Sequence, residues 1–272
     1  MKTSLYLAAT GSRFWAASSG LALDDAVAKA AALGFDAVEI MPRDVDDPDP
    51  ARLRATAERA KLGVAAIASG FIAIERGLTF THPNPEDRRR AVQAMRECMD
   101  AARRAGAPLV SIGIIRGKLQ PGTTRAEAMR HLIDCIRECG RRAGDLGLVL
   151  AVEPGNRYET DFIHTVTEGL ELVGAVGLPS VRLMIDTFHM NIEEASIPGA
   201  IRQAAPYLAH VHFADSNRRA PGWGHLDFPA VAATLREIGY RRTIGLEMTL
   251  APDFEAAARQ GVQFVRALFR TD

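Results

Sequence analysis

The sequence predicts a single-domain (β/α)8 TIM barrel, and three observations carry that expectation. Short apolar runs recur eight times along the 272 residues, helical patterns separate them, and glycines punctuate the passage from helix to next run. Alternating strands and helices imply a parallel sheet, and eight repeats of one composition favour a closed barrel over an open doubly wound sheet. No GxGxxG fingerprint opens the first unit, so a dinucleotide fold has no support there. With 47% hydrophobic residues, a chain of this length can fill such a core as one domain over residues 1–272.

Taken in order, strands are expected near 3–8, 36–41, 64–69, 108–113, 148–153, 182–186, 209–214 and 243–248. Helical periodicity covers 24–33, 50–62, 85–105, 124–146, 165–176 and 228–238, with Gly34, Gly63, Gly106, Gly147, Gly177 and Gly239 following as stop signals. The stretch 44–50, rich in Asp and Pro, reads as a solvated loop feeding a helix rather than a linker.

Thirty-three basic residues balance thirty-three acidic ones, which removes the basic signature expected of a protein whose main ligand is nucleic acid. Cys98, Cys135 and Cys139 lie in helical patterns and form no CxxC pair, so neither a disulfide framework nor a thiolate zinc site is indicated, and a reducing, cytoplasmic setting is expected. Gly11, Ser12 and Arg13 interrupt the first apolar run before a signal-peptide core or membrane span could form.

Four of the runs in the second half end on Glu153, Asp186, His212 and Glu247. In a barrel of this kind the C-terminal rim carries the active site, so four successive strands would deliver three carboxylates and an imidazole to one place. Three oxygen donors and one nitrogen suit a fairly hard divalent ion, Mn2+, Mg2+ or Co2+, whereas a structural zinc site usually shows cysteines. His210 shares the face of His212 by strand alternation but sits deeper, and reads as a buried hydrogen-bonded histidine rather than a ligand.

The longer words around these positions are Glu153-Pro-Gly-Asn156-Arg157-Tyr158-Glu159-Thr160-Asp161, Asp186-Thr-Phe-His189-Met-Asn191-Ile-Glu193-Glu194 and His212-Phe-Ala-Asp215-Ser-Asn217-Arg218-Arg219-Ala-Pro-Gly222. They resemble the xylose-isomerase-like barrels, specifically ketose 3-epimerases of the tagatose and psicose type. The 5-keto-L-gluconate epimerase branch is nearer still in appearance, through Leu78-Thr-Phe-Thr-His82-Pro-Asn84 and Ile112-Gly-Ile-Ile-Arg116-Gly-Lys118. The resemblance spans nearly the whole chain. It implies Glu153, Asp186, His212 and Glu247 as metal ligands, with Mn2+ as the first expectation, and Glu153 and Glu247 as the acid/base pair. It also implies substrate contacts at Glu159, His189 and Arg218, and a homo-oligomer, dimer or tetramer.

The chemistry accounts for the residue types independently. Taking a proton from a carbon beside a ketone makes an enediolate, whose charge a divalent ion stabilises, and inversion needs one base on each face. Glu159 either orients Glu153, binds a hydroxyl or makes a salt bridge at a helix start. His189 is a candidate donor to the substrate carbonyl oxygen, and Arg218 competes with its neighbour Arg219 for a substrate role. Phe14, Trp15 and Phe71 are candidates for an apolar wall against the sugar or for core packing. Arg116 and Lys118 after the fourth strand would suit a carboxylate-bearing substrate, a keto-aldonate, or else form a solvated basic loop. Three other functions compete: an aldose-ketose isomerase such as hydroxypyruvate isomerase, an apurinic-site endonuclease, and a non-catalytic sugar-binding protein. The endonuclease needs many histidine ligands, and the seven here are scattered.

Overall fold

The structure, a computed structural model, describes residues 1–14 and 20–270. The strands are β1 (Thr3–Ala8), β2 (Ala37–Met41), β3 (Gly63–Ala68), β4 (Leu109–Ile112), β5 (Val149–Val152), β6 (Val181–Asp186), β7 (Leu208–Phe213) and β8 (Ile244–Leu246). They pair in chain order into a closed barrel, all parallel, with β8 returning to β1. Every one of the eight expected strands is present, within two residues at each end. The helices are α1 (Leu23–Leu33), α2 (Pro50–Arg59), α3 (Gly70–Ile74), α4 (Pro85–Ala105), α5 (Arg125–Leu146), α6 (Val166–Val176), α7 (Thr187–Glu193), α8 (Ile197–Ala204), α9 (Phe228–Glu237) and α10 (Phe254–Phe269).

Local chemistry starts and stops these helices where the sequence indicates. Thr124 and Thr165 each accept a hydrogen bond from the backbone three residues on, and Glu127 and Glu168 return one, so α5 and α6 both open with a capping box. Asn84 and Asp49 cap α4 and α2, with proline in the first turn of each. Gly34, Gly106, Gly147 and Gly177 take left-handed backbone at the C-termini of α1, α4, α5 and α6. Gly63 differs from expectation: α2 has already ended at Arg59, Lys61 takes the positive φ of 60°, and Gly63 begins β3. The short α3, α7 and α8, and the final α10, lie outside the six stretches of periodicity read from the sequence. Cys98, Cys135 and Cys139 are buried free thiols on α4 and α5.

A single large apolar core fills the space between strands and helices, and a smaller cluster of Ala66, Leu109, Ala151, Met184 and Ala209 packs apart from it. By strand alternation Ala151 lies beneath Glu153, and Met184 beneath Asp186. Gly169 packs α6 tightly against the barrel, since a Cβ there would lie 2.6 Å from Leu183 Cδ1 and 3.0 Å from Pro154 Cγ. Ala normally exceeds Gly in a helix by about 1 kcal/mol. The crowding reverses that preference, and Gly169→Ala is expected to lower stability by about 1–3 kcal/mol, measured as the urea midpoint. An increase would show that α6 has slack against β6.

Candidate active site

Strand register assembles the rim. Asp186 on β6 and His212 on β7 are paired positions, and His212 pairs in turn with Gly245 on β8, two residues before Glu247. Glu153 follows the last residue of β5, its N–H bonded to Ile112 at the end of β4. The side chains of Glu153, Asp186, His212 and Glu247 thereby meet with one potential ligand atom each, all within 4.8 Å of one another. His212 Nδ1 stands 2.8 Å from Glu247 Oε2 and 3.8 Å from Glu153 Oε1.

The bonding of these atoms is informative. Asp186 spends Oδ1 on the N–H of Phe188, capping α7, and leaves Oδ2 without a partner. Glu153 Oε1 and His212 Nδ1 are likewise buried without an aligned hydrogen bond. Buried polar atoms are nearly always paired, and three orphans pointing at one another are what a bound cation would satisfy. Burial, and then the charge of Glu247, push the Glu153 carboxyl up to about 8 and that of Asp186 up to about 7. Burial also opposes ionisation of Glu247, but His212 and Arg218 beside it hold it below the usual carboxylate range. The site therefore concentrates more negative charge than its side chains neutralise.

The neighbours are fixed by a hydrogen-bonded chain. Asn156 accepts the N–H of Tyr158 on its oxygen, which turns its amide NH2 toward Glu159 at 3.0 Å and toward His189 Nδ1 at 2.8 Å. His189 Nδ1 is then an acceptor and its Nε2 the donor. Burial pushes the His189 pKa down to about 4, so the ring is neutral at ordinary pH. Glu159 accepts from Arg218 at 2.8 Å, and Arg218 reaches Glu247 at 3.2 Å while stacking over Phe188 at 4.9 Å. Among the described residues the hydrogen bonds of Glu159 go to Asn156 and Arg218, and Glu153 is not among its partners.

Arg218 is buried and Arg219 exposed, which separates the two adjacent arginines. Arg218 holds left-handed backbone (φ 58°), its carbonyl accepting from both the N–H and the hydroxyl of Thr249. Buried Asp215 shapes this loop by accepting the N–H groups of Ser216, Gly222 and Leu226. Asp215 and Asn156 were not singled out from sequence, although both stand in the motif words there.

Arg116 is 4% exposed, and its guanidinium donates to the carbonyls of Glu153 and Ile163 while its Nε has no partner. The solvated-loop alternative therefore does not hold for Arg116; it does describe the exposure of Lys118. Both line a chamber of about 270 Å³ that opens beside Glu153, Glu159 and His189. A smaller cavity of about 40 Å³ lies directly over the cluster, walled by Tyr6, Phe14 and Ile114. Phe71 is fully buried away from it beneath Arg76, and Trp15 lies outside the described residues.

His210 is buried and hydrogen-bonded below His212, as expected, and its partner is a residue the sequence reading missed: Glu39. Glu39 stands in the middle of β2 and is 1% exposed. An acid between apolar neighbours in a strand buried on both sides was its one available signal.

The family described as xylose isomerase-like TIM barrel matches residues 27–268. A D-psicose 3-epimerase of Agrobacterium fabrum is 31% identical over 242 residues, covering 86% of this chain and 80% of that protein. An L-ribulose 3-epimerase of Mesorhizobium japonicum is 30% identical over 237 residues, covering 86% of this chain and 78% of its own. A solved structure of L-ribulose 3-epimerase superposes with a TM-score of 0.84 at 26% identity, over 98% of this chain and 94% of that one.

A cation entering this cluster must displace protons from the raised carboxyls of Glu153 and Asp186. Mn2+ affinity is accordingly expected to rise from about pH 6 to about pH 8 as those protons leave. Calorimetry in buffers of different ionisation enthalpy should record net proton release at the lower pH. A pH-independent affinity without proton release would contradict the assignment.

Proposed function

The chain belongs to the xylose isomerase-like TIM barrel family, and on that premise we propose that it is a divalent-metal-dependent epimerase. It inverts the carbon next to the ketone of a ketose or keto-aldonate through an enediolate. The relatives are named ketose 3-epimerases, which are isomerases. The observation that carries the metal is the convergence of orphaned buried atoms on Glu153, Asp186 and His212 beside Glu247. These four would hold the ion, with Mn2+ first and Mg2+ or Co2+ as alternatives for a donor set of three oxygens and one nitrogen. When bound, the ion supplies charge stabilisation to the ketone and enediolate oxygens.

The protein's own groups do the proton transfer. Glu153 and Glu247 follow the ends of different strands, β5 and β8, one to remove the proton from carbon and the other to return one on the opposite face. Burial raises the Glu153 carboxyl in the free site; a bound cation would lower it again, so what coordination supplies to Glu153 as a base is a fixed position against the carbon. His189, neutral and with Nε2 as its donor, would hydrogen-bond the substrate carbonyl oxygen. Arg218 ties Glu247 to Glu159 and so fixes one base against the substrate hydroxyls.

The 40 Å³ over the cluster has room for about one or two waters, so a ketose must extend into the adjoining chamber. There Arg116 and Lys118 would favour a substrate whose far end carries a carboxylate. The protein is read as a cytoplasmic homo-oligomer acting on a small sugar or sugar acid, and no helix among the described residues is long and apolar enough to cross a membrane.

NMR in D2O with 5-ketogluconate, fructose, tagatose and ribulose tests the reaction. Expected is an epimeric ketose carrying deuterium beside the ketone, formed with Mn2+ or Mg2+ and abolished by EDTA; an aldose product would reassign the chain to the isomerases. Replacing Glu153 or Glu247 by Gln should cut turnover by roughly 10²–10⁴-fold. Lys118→Ala tests the carboxylate preference more cleanly than Arg116→Ala, because Arg116 also ties down the carbonyls of Glu153 and Ile163. Its KM is expected to rise for 5-ketogluconate and to stay unchanged for neutral ketoses. An equal effect on both would remove the keto-aldonate preference.

A further inference from the structure

We propose that Glu39 is a positioning residue that holds His212 in the one tautomer able to offer Nδ1 to the cation; the inference rests on the metal-site reading above. Glu39 Oε2 lies 2.9 Å from His212 Nε2, and both of its oxygens lie 3.0 Å from His210 Nε2. The hydroxyl of Ser4 bonds Oε1 as well. An ionised carboxylate has only lone pairs to give, so each of these neighbours must be the donor. Both imidazoles are thus required to carry hydrogen on Nε2. When the ring is neutral, as a ligand to a cation must be, the opposite nitrogen of His212 is the one that carries the lone pair, and that nitrogen faces Glu247 and Glu153.

The surroundings are built to keep this contact. A carboxylate buried to this degree is tolerated only with its oxygens satisfied, and two rings and a hydroxyl do so here. On β8, Gly245 leaves the room: a Cβ at that position would lie 2.3 Å from Glu39 Oε1 and 2.8 Å from His212 Cδ2. Tyr6 meets the His212 ring edge-on at 5.6 Å and His210 does so at 4.9 Å, so the ring plane is set from two further sides. Glu39, His210 and His212 could in principle hold an ion themselves. Their contacts, however, are hydrogen bonds that satisfy one another, and the orphaned nitrogen of His212 lies on the other side of the ring.

Glu39→Gln is the informative change. His210 Nε2 reaches both carboxylate oxygens alike, but Ser4 donates to Oε1, so the amide that keeps the Ser4 bond has its oxygen there and its NH2 against His212 Nε2. An NH2 in that place demands an acceptor, which drives the His212 proton to Nδ1 and removes the ligand. Mn2+ binding, followed by the EPR signal of the free ion, is expected to weaken roughly 10–100-fold in E39Q, with a wild-type circular dichroism spectrum. Independently of any variant, long-range 1H–15N NMR of the Mg2+-loaded wild type is expected to show His212 protonated at Nε2 and bare at Nδ1.

Folded E39Q that binds Mn2+ as wild type does would overturn the proposal. So would a wild-type His212 protonated at Nδ1 in the loaded protein, even if E39Q failed to fold. Wild-type protein that binds no Mn2+ would instead overturn the metal-site reading, and this inference with it.

Discussion

Three carboxylates buried side by side repel one another, and the mouth of this barrel holds Glu153, Asp186 and Glu247 within reach of a single point. Like charges this close cannot all ionise without an opposite charge among them, which is why burial and Glu247 drive two of the three carboxyls toward neutral pH. Arg218 and His212 reach Glu247 directly and offset the other two only in part. A divalent cation relieves all three, and the same ion would stabilise the negative charge that forms when a proton leaves the carbon beside a ketone. The unfavourable electrostatics of the free site and its proposed chemistry thus have one physical origin.

Rigidity comes from the placement of the groups on strand ends rather than on loop tips. Asp186 and His212 are register partners across β6 and β7, and each is anchored away from the site, Asp186 by capping α7 and His212 by Glu39. The loops that follow are pinned from within: Asp215 gathers three backbone N–H groups, and Asn156 joins Glu159 to His189. On the proposed function, positioning of this kind would let a neutral imidazole, a guanidinium and two carboxylates face one small molecule without rearranging during reaction.

The barrel was legible in the sequence because its signals are local: apolar runs of strand length, and capping residues and glycines at fixed places around the helices. Glu153, Asp186, His212 and Glu247 were legible for the same reason, since each ends or nearly ends a run. Glu39 was not, because a lone acid in the middle of β2 reads as a solvent-facing residue until closure of the barrel buries both faces. Arg116 shows the reverse. Its sequence position places a cation at the rim, but only the fold of the segment from Glu153 to Ile163 reveals that its guanidinium is tied to their carbonyls. The helices α7 and α8 are too short for periodicity to declare.

On the proposed function, one divalent ion would sit among Glu153, Asp186, His212 and Glu247. The most direct measurement is an anomalous difference map from crystals loaded with Mn2+, collected at the manganese edge. A single peak bonded to Glu153, Asp186, Glu247 and Nδ1 of His212 is the predicted result. No peak there, or one among Glu39, His210 and His212 instead, would contradict it.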